Sequence, residues 1–257
     1  MEHGTQPGLR YGTVGDRPWG VVLGELAASR YTGQLTLTAE GGKPYRVAFA
    51  GGAVVGASSP LASDAVARVA LTSHLVSSSR VPALARAVAA APSRDEVEVV
   101  AELTRLTREQ AARLRRRLLV QRTARTFSVD RGAYVLDEQI TVSSAPGIAA
   151  EVAPAIWLGV RMNLSQERLA EDLRRLGARF VLRAEEADLA RLELTEEDRR
   201  IVQALRPGAS LPELEARYRE LEPRAMQATI YALVATGLCE GIARPARSAA
   251  PRESRTR

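Results

Sequence analysis

Between Thr32 and Ser59 the chain reads TGQLTLTAEGGKPYRVAFAGGAVVGASS, with apolar and polar residues alternating in short runs between glycine pairs. Leu35 and Leu37 alternate with Gln34, Thr36 and Thr38, the period of a strand with one buried face. The pattern predicts three strands, from Gln34 to Ala39, Tyr45 to Ala50 and Ala53 to Ser59. Gly41-Gly42 and Gly51-Gly52 supply the positive φ that tight hairpins require, so the three strands form an antiparallel meander.

Around this meander the period changes from two to about 3.6. Val22, Leu23, Leu26 and Ala27 give an amphipathic helix over 19–30, preceded by a Gly-rich, flexible start over 1–18. Ser63-Asp64 is read as the N-cap of a helix reaching about Val76, with Val66, Val69 and Ala70 on its inner face. Further helices are expected from Val81 to Ala91 and from Asp95 to Leu103. A longer helix starts at the Thr107 cap, with Ala111, Leu114, Leu118 and Gln121 as its stripe. Thr126–Val129 and Ala133–Leu136, parted by Asp130-Arg131-Gly132, read as a strand hairpin. Residues 141–153 break the pattern and are placed as a linker or loop. Helices then start at Pro154, at Ser165 with Arg168 and Leu169, at Thr195-Glu196-Glu197, at the Ser210 cap and near Pro223. Short strands are expected at Arg179–Arg183 and Leu238–Ala243. Three helices, a tight turn and a terminal strand outline a winged-helix-like unit. The expected class is α+β: a small antiparallel sheet packed with helices over 19–140, followed by a mainly helical, winged-helix-like domain over 154–243.

Charge changes this picture less than its sum suggests. The formal net charge is +6, but the Pro/Ala/Ser/Arg-rich tail over 244–257 holds five arginines and one acid, which leaves +2 for the rest. Lys43 is the only lysine among 36 basic residues, a bias that points to a GC-rich coding sequence more than to phosphate recognition. The tail has the composition of a disordered segment. No run reaches the roughly 18 apolar residues of a membrane span, and the start of the chain lacks the apolar core of a secretory signal. With a single cysteine, Cys239, no disulfide framework or cysteine-rich metal site is expected. Together these features predict a soluble, cytoplasmic chain.

Catalytic patterns are missing from the sequence. His3 and His74 stand alone, Gly42-Lys43-Pro44 lacks the spacing and the Ser/Thr of a phosphate loop, and no GxGxxG, HExxH or GxSxG occurs. The sequence therefore calls for no enzyme chemistry, cofactor or metal. Two segments are candidates for an interaction surface. The run RLRRRLLVQRTAR over 113–125 could present Arg113, Arg116 and Arg117 as a phosphate-binding face or a docking patch for an acidic partner, although a solvated face in an arginine-biased chain is the more expected reading. The last helix could present Arg224 and Gln227 as a winged-helix reader of DNA. It is otherwise apolar or small, however, so nucleic acid is the less expected partner.

The order helix, TGQLTL, YRVAFAGGAVVGASS, helix, RTFSVDRGAYVL resembles the PATAN domain of bacterial signalling proteins, and AIWLGVRMNLSQERLAEDL with LTEEDRRIVQALRPGASLPELEARY resembles the helical part that often follows it. The likeness spans roughly residues 19–242, and its motifs are structural, with no catalytic residue to carry over. It implies a non-enzymatic regulatory module that works through protein–protein interaction with a receiver-domain, chaperone or motility/regulatory protein. Relatives are commonly joined to phospho-receiver or J domains, but this chain shows neither an acidic receiver pocket pattern nor an HPD tripeptide.

Overall fold

The computed structural model describes residues 11–189, 192 and 194–243. The basic tail, His3 and the first ten residues lie outside the described residues. In chain order the elements are β1 (Tyr11–Thr13), α1 (Trp19–Ala28), β2 (Gly33–Ala39), β3 (Pro44–Ala50), β4 (Ala53–Ser58), α2 (Val66–Thr72), α3 (Val81–Ala90), α4 (Glu96–Thr104) and α5 (Arg108–Arg125). They continue with β5 (Gly132–Asp137), α6 (Val152–Met162), α7 (Gln166–Leu176), β6 (Arg179–Leu182), α8 (Glu186–Leu189), α9 (Glu196–Leu205), α10 (Leu211–Arg217), α11 (Pro223–Ala235) and β7 (Cys239–Ile242). The fold is α+β.

The meander forms as its glycine pairs require. Leu35 faces Val47 and Leu37 faces Tyr45 across β2 and β3, and all four side chains are buried. Gly51 and Gly52 turn the chain from β3 into β4 with φ of 56° and 85°. At Gly52 the turn also lies close to α1, since a Cβ there would stand 2.4 Å from the Ala27 carbonyl oxygen. A bulge between β3 and β4 pairs Ala48 with Gly56 and Phe49 with Val54, leaving Val55 as the extra residue.

Two strands depart from the sequence-based expectation. Tyr11–Thr13, within the stretch expected to be flexible, forms β1, and β1 pairs with β5. The hairpin expected over 126–136 does not form. Thr126–Ser128 is instead a 3-10 turn that tightens the end of α5. The Thr126 hydroxyl donates to the Thr123 carbonyl at 2.6 Å and accepts the indole N–H of Trp19 at 2.8 Å, so tertiary contacts override the local strand preference. Phe127 is wholly buried beneath Gly159. β5, set free of that hairpin, lies between β1 and β2, and the five strands run β1-β5-β2-β3-β4 with every pairing antiparallel. Near the end of α2 the expectation also shifts: the helix starts at Val66 without a side-chain cap and ends where His74 takes a left-handed φ of 56°.

Residues 141–150 run as a loop pinned to the sheet. Gln34 Oε1 accepts the backbone N–H groups of Thr141 at 2.9 Å and Val142 at 3.0 Å, and Val54 and Ala150 exchange two backbone hydrogen bonds of 2.9 Å. Downstream, α9, α10 and α11 follow in succession, and β6 pairs antiparallel with β7. Thr195 and Ser210 each form a reciprocal capping box, with Asp198 and Glu213 respectively.

One large apolar core runs from Val14 to Cys239 and includes the inner sheet face, α1, α6, α7, α9 and α11. A smaller core joins α2, α3 and α4 to Leu114 and Leu118 of α5. Helix α1 links the sheet to the C-terminal helices because two glycines let α11 come close. A Cβ at Gly20 would meet the Tyr231 ring at 2.7 Å, and one at Gly24 would stand 2.0 Å from the Ala235 carbonyl oxygen. The Gly20 N–H donates to the Tyr231 hydroxyl at 2.9 Å. Gly24→Ala should therefore force the helices apart and destabilise the protein by about 1–3 kcal/mol, the range for overpacked cores. A urea unfolding midpoint equal to that of the parent chain would contradict this contact.

Candidate functional site: the arginine face of helix α5

Helix α5 owes its start to a capping box. Thr107 Oγ1 accepts the Gln110 N–H at 3.2 Å, and Gln110 Oε1 accepts the Thr107 N–H at 2.9 Å. The helix then carries arginines at 108, 113, 115, 116, 117, 122 and 125, and the fold sorts most of them into two groups.

One group is internal. Arg115 pairs with Asp95 at 2.8 Å, which ties α5 to the N-cap of α4. Arg122 donates to the carbonyls of Ala57 at 3.2 Å and Asp64 at 3.0 Å, and pairs with Glu96. Its guanidinium thus covers part of the outer edge of β4, which would otherwise be open to strand pairing. Arg125 reaches the Asp64 carboxylate at 3.0 Å and donates to Asn163 Oδ1 at 2.8 Å. The Asp64 side chain is 0% exposed and also accepts from Ser59 Oγ at 2.6 Å and Gln121 Nε2 at 3.2 Å. The sequence suggested a helix cap at this position, and the structure corrects that: the carboxylate turns inward as the counter-ion of α5. Burial alone would raise the Asp64 pKa, but the hydrogen bonds from Arg125, Ser59 and Gln121 outweigh it and hold the carboxyl below its usual range.

The other group faces outward. Arg113, Arg116 and Arg117 are exposed, and their i, i+3 and i, i+4 spacing puts them on one stripe. Arg113 pairs with Glu109 one turn earlier, a contact of solvated side chains that contributes a few tenths of a kcal/mol. Arg116 and Arg117 form no ion pair with a described residue. Like charges so spaced repel one another, and a partner carboxylate would relieve that repulsion.

Arg224 and Gln227 are not part of this face. Arg224 Nη2 donates to the Leu164 carbonyl at 2.7 Å and the Arg161 carbonyl at 3.4 Å, and Nη1 to Gln166 Oε1 at 2.9 Å. It thereby satisfies carbonyls at the C-terminal end of α6. Gln227 accepts from Gln166 Nε2 at 2.8 Å and donates to Glu215 at 3.3 Å. Both side chains are engaged within the fold. Cys239 is buried, and burial pushes its thiol up to about 12, so it carries little thiolate at neutral pH. Among the described residues, no helix is long and apolar enough to cross a membrane.

Sequence reasoning found the outward triplet and missed Asp64. A signal was present, because Gln121 and Arg125 continue the apolar stripe of Leu114 and Leu118. Polar residues in register with a buried stripe require a buried partner. Removing that partner gives a test. Asp64→Asn leaves Arg125 without its anion and should cost about 3–5 kcal/mol at pH 7. A carboxyl whose pKa is lowered by folding stabilises above its unfolded pKa, about 4, and loses that contribution as pH falls through the lower folded value. The gap between Asp64→Asn and the parent should therefore narrow in urea titrations as pH drops below about 4. A gap that stays constant down to acid pH would show that the carboxylate charge is not what matters.

Set against protein-family models, curated proteins and solved structures, the chain matches none of them.

Proposed function

We propose that this chain is a non-enzymatic bacterial regulatory module of the PATAN type, which binds an acidic protein partner through Arg113, Arg116 and Arg117 of α5. The observation that carries the reading is the sorting of arginines along α5. Arg115, Arg122 and Arg125 are neutralised by Asp95, Glu96 and Asp64, whereas the outward triplet has only Glu109 beside it. A rigid, capped helix that holds three positive charges on one stripe complements a cluster of carboxylates, and such fields speed and orient association. Partners of the receiver-domain, chaperone or motility class are the ones the family likeness suggests.

DNA binding through the winged-helix-like segment is the weaker reading. Arg224 and Gln227, the side chains that would address base edges, are engaged with α6, α7 and α10. A photocrosslinking residue at position 116 in the source cell should capture a protein partner with an acidic contact surface. Arg113→Glu, Arg116→Glu and Arg117→Glu together should weaken that partner at least about tenfold and remove most of its salt dependence. A low-salt duplex DNA shift that Arg224→Ala abolishes would instead establish the DNA-binding reading.

A further inference from the structure

Among the described residues, Asp64, Asp172 and Asp198 are the buried aspartates, and two of them are well served with donors. Asp64 accepts from Arg125, Ser59 and Gln121. Asp198 accepts from the Thr195 N–H at 2.9 Å, from Thr229 Oγ1 at 2.7 Å and from Arg161. Asp172, on α7, differs. It is 1% exposed, and its Oδ2 is buried with no donor. Arg168 stands one turn earlier on the same helix and is also buried, but it turns elsewhere: Nη1 donates to the Val129 carbonyl at 2.6 Å and lies 3.9 Å from Asp130. Its Nε and Nη2 are buried without an acceptor. An acid and a base thus share one turn of α7, and the atoms that could join them stay apart.

This group of side chains lies where α7 packs on α11. Leu169 and Leu173, next to Asp172 on the inner face of α7, are buried, and the Tyr231 hydroxyl that accepts the Gly20 N–H faces the carboxyl. The surrounding charges are few. Helix α7 adds Arg168, Glu171 and Arg175, and Arg175 pairs with Glu171 and donates to the Gly15 carbonyl. Helix α11 adds the neutral Tyr231 phenol, while Glu25 of α1 is paired with Arg17. Ionising Asp172 places a negative charge where water does not reach it. Arg168 and Arg175 oppose that penalty, but burial outweighs them and raises the carboxyl pKa above its ordinary value.

We propose that Asp172 is a proton-operated latch: as a neutral acid it lets α7 seat against α11 and α1, and as a carboxylate it loosens that seat. A proton held more tightly in the folded state stabilises fully below the unfolded pKa, about 4, and that contribution is lost as pH rises through the higher folded value. Asp64 works in the opposite sense, because its donors favour the charged form. The latch therefore leaves α7 looser near neutrality than in weak acid. It does not depend on the docking reading, since Arg113, Arg116 and Arg117 lie on α5.

Asp172→Asn in the full chain replaces the acid with a neutral side chain of the same shape. Its urea midpoint should lie close to the parent's at about pH 4 and above it at about pH 8. In the parent, hydrogen-exchange protection factors of the α7 amides should fall at least threefold, roughly, between about pH 5 and about pH 8, and in Asp172→Asn they should stay level. Carbon-13 NMR of the unmodified chain should show the Asp172 carboxyl titrating above the ordinary aspartate value and Asp64 below it. The proposal is overturned if Asp172→Asn is less stable than the parent at about pH 8, the result expected of a counter-ion to Arg168. It is equally overturned if the gap between the two chains does not change with pH, if α7 is protected alike at both pH values, or if Asp172 titrates at or below the ordinary value.

Discussion

The architecture depends on how closely α1 and α11 approach. With glycines at 20 and 24, α1 lies directly on Tyr231 and Ala235, so a helix from the start of the chain and one from its last part share a single contact surface. On its other side α1 covers the meander, with Leu23 and Leu26 completely buried. The same helix thus closes the sheet's inner face and the inner face of the C-terminal helices. Tyr231 secures the junction by accepting the Gly20 N–H. Burial pushes the Tyr231 phenol well above its usual pKa, so it stays a neutral hydrogen-bonding group at any ordinary pH.

Helix α5 occupies a comparable position for charge. Its apolar stripe faces two cores: Leu114 and Leu118 lie in the smaller, Leu119 in the larger. Its inward guanidiniums act as long-range connectors, reaching the edge of β4, the N-terminus of α4 and the end of α6. Arginine suits this work because a planar fork can serve several oxygens at once. Each connector needs its acids, and Asp64, Asp95 and Glu96 supply them. The outward arginines have no such duty, which leaves their charge available to another molecule. An arginine-rich helix is therefore two objects, a structural spine and a charged surface, separated by rotation about one axis.

Much of this could be read from local chemistry. The meander was legible because turn glycines and period-2 alternation act over a few residues. The caps at Thr107 and Ser210, and the helix starts at Ser165 and Thr195, were legible because each of these residues lies three before the N–H it accepts, whereas the cap at Asp95 was read as part of its helix. What failed involved distant partners. Thr126–Ser128 reads as a strand until Trp19 bonds to Thr126, and Tyr11–Thr13 reads as flexible until β5 pairs with it. Arg224 has the chemistry of a base reader, yet its acceptors are carbonyls at the end of another helix. The outward triplet at 113, 116 and 117 follows from helical spacing alone. Asp64 needed a partner about 60 residues away, Arg125.

The placement of β5 also constrains the order in which the chain can fold. β2 pairs with β3 across a two-glycine turn, but its other neighbour is β5, where Gln34 lies opposite Asp137. During synthesis the meander can assemble while the far edge of β2 is still a row of unpaired backbone groups. That edge stays exposed until four helices have been made and β5 arrives to cover it. Contacts of such long sequence separation slow folding, and an uncovered edge is a template for pairing with another chain. The late strand, more than the early hairpins, therefore sets when this edge of β2 stops being a template for another chain.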